Sequence, residues 1–177
     1  DITLKVVPYN YKVDPDECDG LFISNGPGDP ELCVETIETL KNVINSDKVI
    51  PVFGICLGVQ LLGLASGCKT IKLKYGNRGV NQPVINLRTM QCQITSQNHG
   101  YAIDNNSIND DWVPYFINGN DYSNEGLIHN SLPYFGVQFH PEAKNGPQDT
   151  EYLFDLIISK VKRDNYNNIN RNYGYYH

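Results

Sequence analysis

Apolar and polar positions follow one another along the chain in blocks that predict strands and helices in turn. Residues 20–24 and 49–53 form short apolar runs, which are typical of strands buried on both faces. Residues 31–45 and the stretch after residue 57 instead have apolar positions three and four apart, which indicates helices with one buried face. Because strands alternate with helices, we predict an α/β fold: an open, mostly parallel, twisted sheet with helices on both faces.

The second half of the chain has shorter apolar runs, which predict a hairpin, several more strands and a closing helix. Residues 84–87 and 91–95 indicate the hairpin, and residues 149–162 indicate the helix. Further strands are predicted at residues 2–7, 69–73, 113–118, 126–129 and 134–139, and polar loops at residues 75–83 and 96–101.

We expect these elements to form one domain over residues 1–164. Residues 165–177 are rich in asparagine and tyrosine and have little apolar periodicity, so we predict a disordered tail there. The strand predicted at residues 2–7 has no helix before it, which is abrupt for an α/β fold. We therefore expect the first strand and helix of the fold to be missing from this sequence.

Composition and charge argue against two classes of function, nucleic-acid binding and membrane binding. The chain has 177 residues and a net charge of −6, and no basic run exceeds two residues, whereas a nucleic-acid-binding surface is basic. No apolar stretch approaches the roughly 18 residues of a membrane span, and the start of the chain does not resemble a signal peptide. We therefore predict a protein that binds neither nucleic acid nor membrane.

The five cysteines are odd in number and irregularly spaced, and no two of them form a C-x-x-C motif. This pattern argues against a disulfide framework and a zinc site, and it predicts a reducing compartment such as the cytoplasm. We expect no metal site. Four cysteines lie at no turn that would activate them, and we predict that they are inert: Cys18, Cys33, Cys68 and Cys92.

The fifth cysteine lies in the stretch around which the chain is organised, where Gly54, Cys56 and Gly58 form a G-x-C-x-G motif. The motif joins a predicted strand to a predicted helix, as in the nucleophile elbow of hydrolases. Glycines let such a sharp turn close, and the positive end of the helix dipole favours a thiolate. Backbone N–H groups beside Cys56 would be free to hold an oxyanion. The alternative is a buried cysteine between two packing glycines.

Two other polar segments follow predicted strands: the rigid loop at residues 25–30, and His140-Pro-Glu at the end of the last strand. Because the carboxyl ends of parallel strands meet at one crevice of a sheet, we expect both to lie beside Cys56. His140 would then be the base for the thiol, and Glu142 would orient the imidazole and stabilise its charge. His99 is the competing base, and His140 and Glu142 are alternatively ordinary surface residues.

Two segments resemble the triad, or class I, glutamine amidotransferases: Gly-Ile-Cys-Leu-Gly-Val-Gln at residues 54–60 and Phe-Gly-Val-Gln-Phe-His-Pro-Glu at residues 135–142. Other segments resemble, more narrowly, the glutaminase domain of carbamoyl phosphate synthetase, and they lie at residues 24–30, 74–84, 95–102 and 140–150. Anthranilate and GMP synthase amidotransferases share the cysteine and histidine motifs but not the Asn-Arg-Gly-Val-Asn loop at residues 77–81. The resemblance covers most of the chain and implies a flavodoxin-like fold.

The resemblance implies a role for each matching residue. Cys56 would be the nucleophile, His140 the base and Glu142 its orienting partner. Leu57 and a glycine of the loop at residues 25–30 would offer backbone N–H groups to the oxyanion. Contacts with a glutamine substrate would come from Gly26, Gly28, Leu57, Gln60, Asn98, Gly100 and Tyr101.

The implied reaction is hydrolysis of glutamine to glutamate and ammonia through a cysteinyl thioester. In the family, the ammonia passes through a tunnel to an ATP-using synthetase that makes carbamoyl phosphate, for pyrimidine or arginine synthesis. The sequence contains no ATP-binding motif. We therefore expect no cofactor in this domain, and ATP and magnesium only in the partner synthetase domain or subunit.

Three positions depart from the family pattern, because Val59 and Val80 replace a frequent histidine and Tyr101 replaces a frequent phenylalanine. Val59 would neighbour the triad without belonging to it, so we expect catalysis to survive. Two other hypotheses remain open. The chain is a related Cys–His hydrolase, such as a γ-glutamyl hydrolase or an intracellular peptidase, or it is a non-catalytic module that binds the synthetase.

Overall fold

The computed structural model describes residues 2–173, and the side chains of residues 2–163. The helices of this part of the chain are α1 (Val34–Ile44), α2 (Leu57–Ala65) and α3 (Tyr152–Tyr173). Its strands are β1 (Leu21–Ile23), β2 (Val52–Ile55), β3 (Thr70–Asn86), β4 (Gln91–Ile103), β5 (Trp112–Asn118), β6 (Asn124–His129) and β7 (Tyr134–Val137). None of these helices is long and apolar enough to cross a membrane.

The strands form one seven-stranded sheet with the order β1-β2-β7-β6-β5-β3-β4. β1, β2 and β7 run parallel, and the remaining neighbours pair antiparallel. Parallel pairs need long crossover connections, whereas β3 and β4, or β5 and β6, are joined by short turns that reverse the chain. The predicted open α/β sheet is confirmed as a mixed sheet: its parallel part consists of β1, β2 and β7, which lead into the motif residues, and the other four strand pairs are antiparallel.

Helices cover both faces of the sheet, as predicted. One core lies between the sheet and helices α1 and α2, and it includes Leu40, Val43, Val52, Leu61, Leu62 and Tyr134. The other lies between the sheet and α3, and it includes Phe53, Ile55, Phe135, Val137 and Leu153. Neighbouring residues of a strand point to opposite faces, so Val52 joins the first core and Phe53 the second. This explains why β2 is apolar throughout.

The strand predicted at residues 2–7 is absent. This segment has no regular secondary structure, and Ile2, Leu4 and Val6 are exposed rather than packed in a core. Alternating apolar residues indicate a strand only where a neighbouring strand pairs with them, and in the described part of the chain this segment pairs with none. The prediction was therefore wrong.

The polar loops predicted at residues 75–83 and 96–101 are instead parts of β3 and β4. These two strands form a long antiparallel ribbon at the edge of the sheet, with irregular register between Lys72 and Asn77 and between Gly79 and Gln82. Backbone pairing holds the ribbon together, so its side chains need not alternate between apolar and polar. The hydrophobic pattern predicted only the closed end of the ribbon, the hairpin at residues 84–87 and 91–95, which is confirmed, and it gave no sign of the polar part.

The last helix, α3, ends at Tyr173, whereas the apolar pattern predicted its end at residue 162. Its backbone overlaps the tail at residues 165–177 that we predicted to be disordered, and residues 174–177 lie outside the described residues. Hydrogen bonds inside a helix do not depend on an apolar face, so a periodicity argument misses such an extension. The domain boundary at residue 164 stays a prediction.

Candidate active site

Cys56 lies at the sharp turn between β2 and α2, immediately before the first residue of the helix. Its backbone has φ 54° and ψ −106°, a conformation that non-glycine residues rarely adopt. The backbone N–H of Cys56 donates to the carbonyl of Val137 in β7 at 2.8 Å, which holds the turn against the neighbouring strand. This is the strand-to-helix elbow that the sequence predicts, and strain of this kind is concentrated at functional sites.

The glycines of the motif allow α2 to approach the sheet closely. A Cβ on Gly58 would lie 2.1 Å from the carbonyl oxygen of Ile23 in β1, and one on Gly54 would lie 2.6 Å from the carbonyl carbon of Gly58. Both distances are far below van der Waals contact. The two glycines are therefore required by packing, and together they hold the helix that begins beside Cys56.

Replacing Gly58 with alanine should lower the melting temperature by about 2–12 °C, since overpacking costs about 1–3 kcal/mol and each kcal/mol shifts a domain of this size by about 2–4 °C. Thermal unfolding followed by circular dichroism measures this. Gly100→Ala is the matched control, because the nearest atom to its new Cβ is a guanidinium nitrogen of Arg78 at 3.6 Å. Equal, small shifts in both variants would contradict the packing argument.

His140 and Glu142 form a hydrogen-bonded pair after β7, with Nδ1 of His140 donating to Oε1 of Glu142 at 2.6 Å. The pKa of His140 is raised to about 10, first by its interaction with the Cys56 thiol and second by Glu142, against the effect of burial. Burial tends to raise the pKa of Glu142, but the hydrogen bond from His140, a backbone hydrogen bond and the charge of His140 together outweigh it, and the net shift is downward. At neutral pH, the pair is therefore an imidazolium and a carboxylate.

The second ring nitrogen of His140, Nε2, is buried and has no hydrogen-bond partner among the described residues. The Cys56 thiol is the strongest influence on the pKa of this ring. The backbone of Cys56 is also hydrogen-bonded to Val137, three residues before His140, so both residues lie at the same edge of the sheet. With Nδ1 held by Glu142, Nε2 is the nitrogen left to exchange a proton with the sulfur or with a bound molecule. Cys56, His140 and Glu142 thus have the order of a catalytic triad, with the His140–Glu142 hydrogen bond already formed.

A cavity of about 660 Å³ opens beside Cys56. All the residues predicted to contact a substrate line it, namely Gly26, Gly28, Leu57, Gln60, Asn98, Gly100 and Tyr101. A smaller cavity of about 430 Å³ adjoins it and contains His140 and Glu142, and Arg78 and Asn98 line both. The sequence-predicted residues are therefore brought together around two neighbouring cavities, with Cys56 at the larger one and His140 at the smaller one.

His99 also lines the larger cavity, but both of its ring nitrogens already have hydrogen-bond partners in the protein. Nδ1 lies 2.8 Å from the carbonyl oxygen of Tyr101, and Nε2 lies 2.8 Å from Oε1 of Gln97. Burial lowers the pKa of His99 to about 4. Because both ring nitrogens are engaged and the lowered pKa makes the imidazole a weak base, His99 is a poorer candidate for the base than His140.

Three residues of the site were not predicted from the sequence: Lys72, Arg78 and Gln138. The cations Lys72 and Arg78 reach the cavity through the register of the β3–β4 ribbon, for which the sequence gave no signal. Gln138 donates from Nε2 to Sγ of Cys56 at 3.6 Å. One signal could have found it, because Gln138 precedes His140 by two positions and alternate residues of an extended segment share a face.

The other four cysteines are free thiols. Burial raises the pKa of Cys18, Cys33 and Cys68, which lowers their thiolate fraction at neutral pH. Cys92 is exposed on β4, away from the two cavities. No cluster of three or more His, Cys, Asp or Glu side chains in the described part of the chain could hold a metal ion.

Comparisons with known proteins agree with this geometry. The family model for glutamine amidotransferase class-I matches residues 1–160. The carbamoyl phosphate synthase arginine-specific small chain of Candida albicans is 57% identical over 161 residues, which are 90% of this chain and 37% of that one. Multifunctional protein URA2 of Saccharomyces cerevisiae is 52% identical over 168 residues, 95% of this chain and 8% of that one. This chain thus spans little more than a third of the small chain and a small part of URA2.

Among solved structures, a putative GMP synthase protein from Thermoplasma acidophilum superposes with a TM-score of 0.75 and 24% identity, and the match covers 94% of this chain and 84% of that one. A glutamine amidotransferase from Thermotoga maritima has a TM-score of 0.59 and 18% identity, covering 88% and 69%. At these identities the structures support the fold alone. The family model and the sequence relatives go further: this chain belongs to the class I glutamine amidotransferases.

Proposed function

We propose that this chain hydrolyses glutamine to glutamate and ammonia, and that the ammonia is used for carbamoyl phosphate synthesis. The observation that carries the proposal is the meeting of Cys56 with the His140–Glu142 pair beside a cavity of about 660 Å³. Family membership supports the reaction class. Relatives named carbamoyl phosphate synthase small chain support the use of the ammonia.

The first step is attack by the Cys56 thiolate on the side-chain amide carbon of glutamine. The carbonyl oxygen becomes an oxyanion, which backbone N–H groups of Leu57 and of the loop containing Gly26 and Gly28 would stabilise. Leu57 is the first residue of α2, and the first N–H groups of a helix have no partner inside it. The imidazolium of His140 balances the negative charge during the attack.

The second step breaks the carbon–nitrogen bond. His140 gives its Nε2 proton to the leaving nitrogen, ammonia departs, and a glutamyl thioester remains on Cys56. Neutral His140 then takes a proton from water as the oxygen attacks the thioester, and collapse of this intermediate expels the thiolate. Glutamine and water have become glutamate and ammonia, and the proton of the new carboxyl group passes to ammonia or to solvent.

Recognition of free glutamine requires donors for its carboxylate and acceptors for its ammonium group. The side-chain Nε2 of Gln60 already donates to the carbonyl of Tyr101 and to Gln138, so Oε1 is the Gln60 atom left to accept from the ammonium. The substrate carboxylate would be held by backbone N–H groups of the glycines, in the electrostatic field of Lys72 and Arg78.

Tyr101 is the departure from the family pattern that the structure explains best. Its hydroxyl donates to Oδ2 of Asp29 at 3.1 Å and so joins β4 to the loop containing Gly26 and Gly28. We propose that this contact supports the oxyanion loop rather than binding the substrate. Val59 is fully buried and would contact any Cβ added to Gly136, so it serves packing.

The ammonia would pass to a synthetase domain or subunit, which would also bind the ATP and magnesium that carbamoyl phosphate synthesis requires. The alternative substrates, γ-glutamyl compounds and peptides, differ from glutamine in carrying a further group on the nitrogen of the scissile amide. The polar groups on the cavity wall favour a free amino acid, since they offer partners for both its carboxylate and its ammonium. The non-catalytic alternative is disfavoured by the complete Cys56–His140–Glu142 set.

The test uses the full-length protein that carries this chain, supplied separately with glutamine, a γ-glutamyl peptide and an ordinary peptide. We expect release of glutamate and ammonia from glutamine, at least about tenfold faster than cleavage of either peptide. A glutamine-analogue electrophile should label Cys56 alone among the five thiols, as read by peptide mass spectrometry. Faster cleavage of a peptide would favour the hydrolase alternatives, and uniform labelling without turnover would favour the non-catalytic one.

A further inference from the structure

Two buried glutamine side chains link the wall of the larger cavity to the sulfur of Cys56. Nε2 of Gln60 donates to the backbone carbonyl of Tyr101 and to Oε1 of Gln138, both at 2.9 Å. Nε2 of Gln138 in turn donates to Sγ of Cys56 at 3.6 Å. Gln60 and Gln138 are 3% and 1% exposed, so water does not compete for these contacts.

The backbone carbonyl of Tyr101 fixes which atoms in this chain of hydrogen bonds donate and which accept. The carbonyl oxygen of Tyr101 can only accept, so the atom of Gln60 that faces it must be the amide nitrogen. The second hydrogen of the same nitrogen then points to Gln138, which must turn its oxygen toward it. The Gln138 nitrogen is left to face the sulfur, and it offers a donor and no acceptor.

We propose that Gln138 is a thiolate-binding residue of the active site, and that Gln60 positions it. A donor aimed at the sulfur stabilises a negatively charged thiolate, but it gives a neutral thiol no acceptor for its proton. Hydrogen bonds to charged groups are stronger than those to neutral ones, and more so where water is excluded. The proposal rests on the proposed nucleophilic role of Cys56.

The hydrogen bond from Gln138 to the Cys56 sulfur and the positive charge of His140 would stabilise the thiolate in different ways. The imidazolium supplies charge and a proton that leaves during the reaction, whereas the amide of Gln138 keeps its hydrogens throughout. Gln138 therefore holds the sulfur in one place before attack and receives the thiolate again when the thioester is hydrolysed. Its backbone N–H donates to the carbonyl of Glu125 in β6 at 2.9 Å, which ties it to the sheet.

The test is the pH dependence of Cys56 alkylation by iodoacetamide in the full-length protein, followed by peptide mass spectrometry. Gln138→Met keeps most of the side-chain length and removes the donor. We expect its alkylation at Cys56 to be about tenfold slower at pH 7, with the whole profile moved about one unit to higher pH. Gln138→Glu would place a carboxyl group against the sulfur, and the profile should move further in the same direction.

Gln97→Met is the matched control, because Gln97 is also a buried, hydrogen-bonded glutamine that makes no hydrogen bond to Cys56. It should leave the alkylation profile in place even if it lowers the melting temperature. A Gln138→Met profile that superposes on wild type would overturn the proposal, as would an equal shift in Gln97→Met. Alkylation does not require turnover, so this result is separate from any failure of the wild-type protein to hydrolyse glutamine.

Discussion

Replacing Cys56 with alanine should reduce glutamine-dependent carbamoyl phosphate synthesis by about 10⁴-fold or more, and should leave synthesis from added ammonia unchanged. The thiol is the only covalent partner available to the substrate in the proposed mechanism, and losses of this size follow removal of a catalytic nucleophile. Ammonia bypasses that step, because it is the product of the amidotransferase reaction. The assay measures carbamoyl phosphate formed by the full-length protein with its synthetase, from each nitrogen source.

Cys92→Ala is the control for this experiment, since Cys92 is exposed on β4 and lines neither cavity. It should keep both activities. Equal loss of the two activities in Cys56→Ala would contradict the proposed role, because it would mean that Cys56 supports the assembly rather than glutamine hydrolysis. Retention of glutamine-dependent synthesis would show that the nucleophile lies elsewhere.

Replacing His140 with asparagine should lower the kcat of glutamine hydrolysis by about 10³-fold or more, with a much smaller effect on KM. General acid–base catalysis contributes about 10²–10⁴-fold, and His140 also supplies the charge that accompanies the thiolate. KM should change little because His140 lines the smaller cavity and not the one proposed to hold the substrate. Steady-state release of glutamate measures both quantities. A rise in KM at constant kcat would instead indicate a binding role.

The pH dependence of the wild-type protein follows from the same residue. The pKa of His140 is about 10, so at neutral pH the ring is protonated and can act as the acid for leaving ammonia. As pH rises through about 10, the ring loses this proton and formation of the thioester should slow. In Glu142→Gln the ring loses the carboxylate that helps to raise its pKa, so this alkaline decline should begin at lower pH. An unchanged alkaline limit would contradict the pairing.

Local sequence signals predicted the elbow around Cys56 and the pairing of His140 with Glu142 after β7. Both rest on short-range rules, since two glycines permit the turn and Pro141 restrains His140 relative to Glu142. The meeting of Cys56 with His140 was predictable because parallel strands bring their carboxyl ends to one edge, and β2 and β7 are indeed parallel neighbours.

The polar part of the β3–β4 ribbon was beyond such rules. Lys72 and Arg78 face the cavity only because one polar strand pairs with another in an irregular register. Nothing in the alternation of apolar and polar residues encodes that register. Gln138 was missed for a different reason. Its contact with Cys56 depends on a hydrogen bond from Gln60, and that bond exists only once α2 packs against the end of β7.

The most direct test of the account is a search for the covalent intermediate. The full-length protein is mixed with glutamine, quenched in acid during turnover and digested, and the peptide containing Cys56 is examined by mass spectrometry. We expect a glutamyl thioester on Cys56, on none of the other four cysteines, and not in Cys56→Ala. Release of glutamate with no such adduct, or with an adduct on another residue, would contradict it.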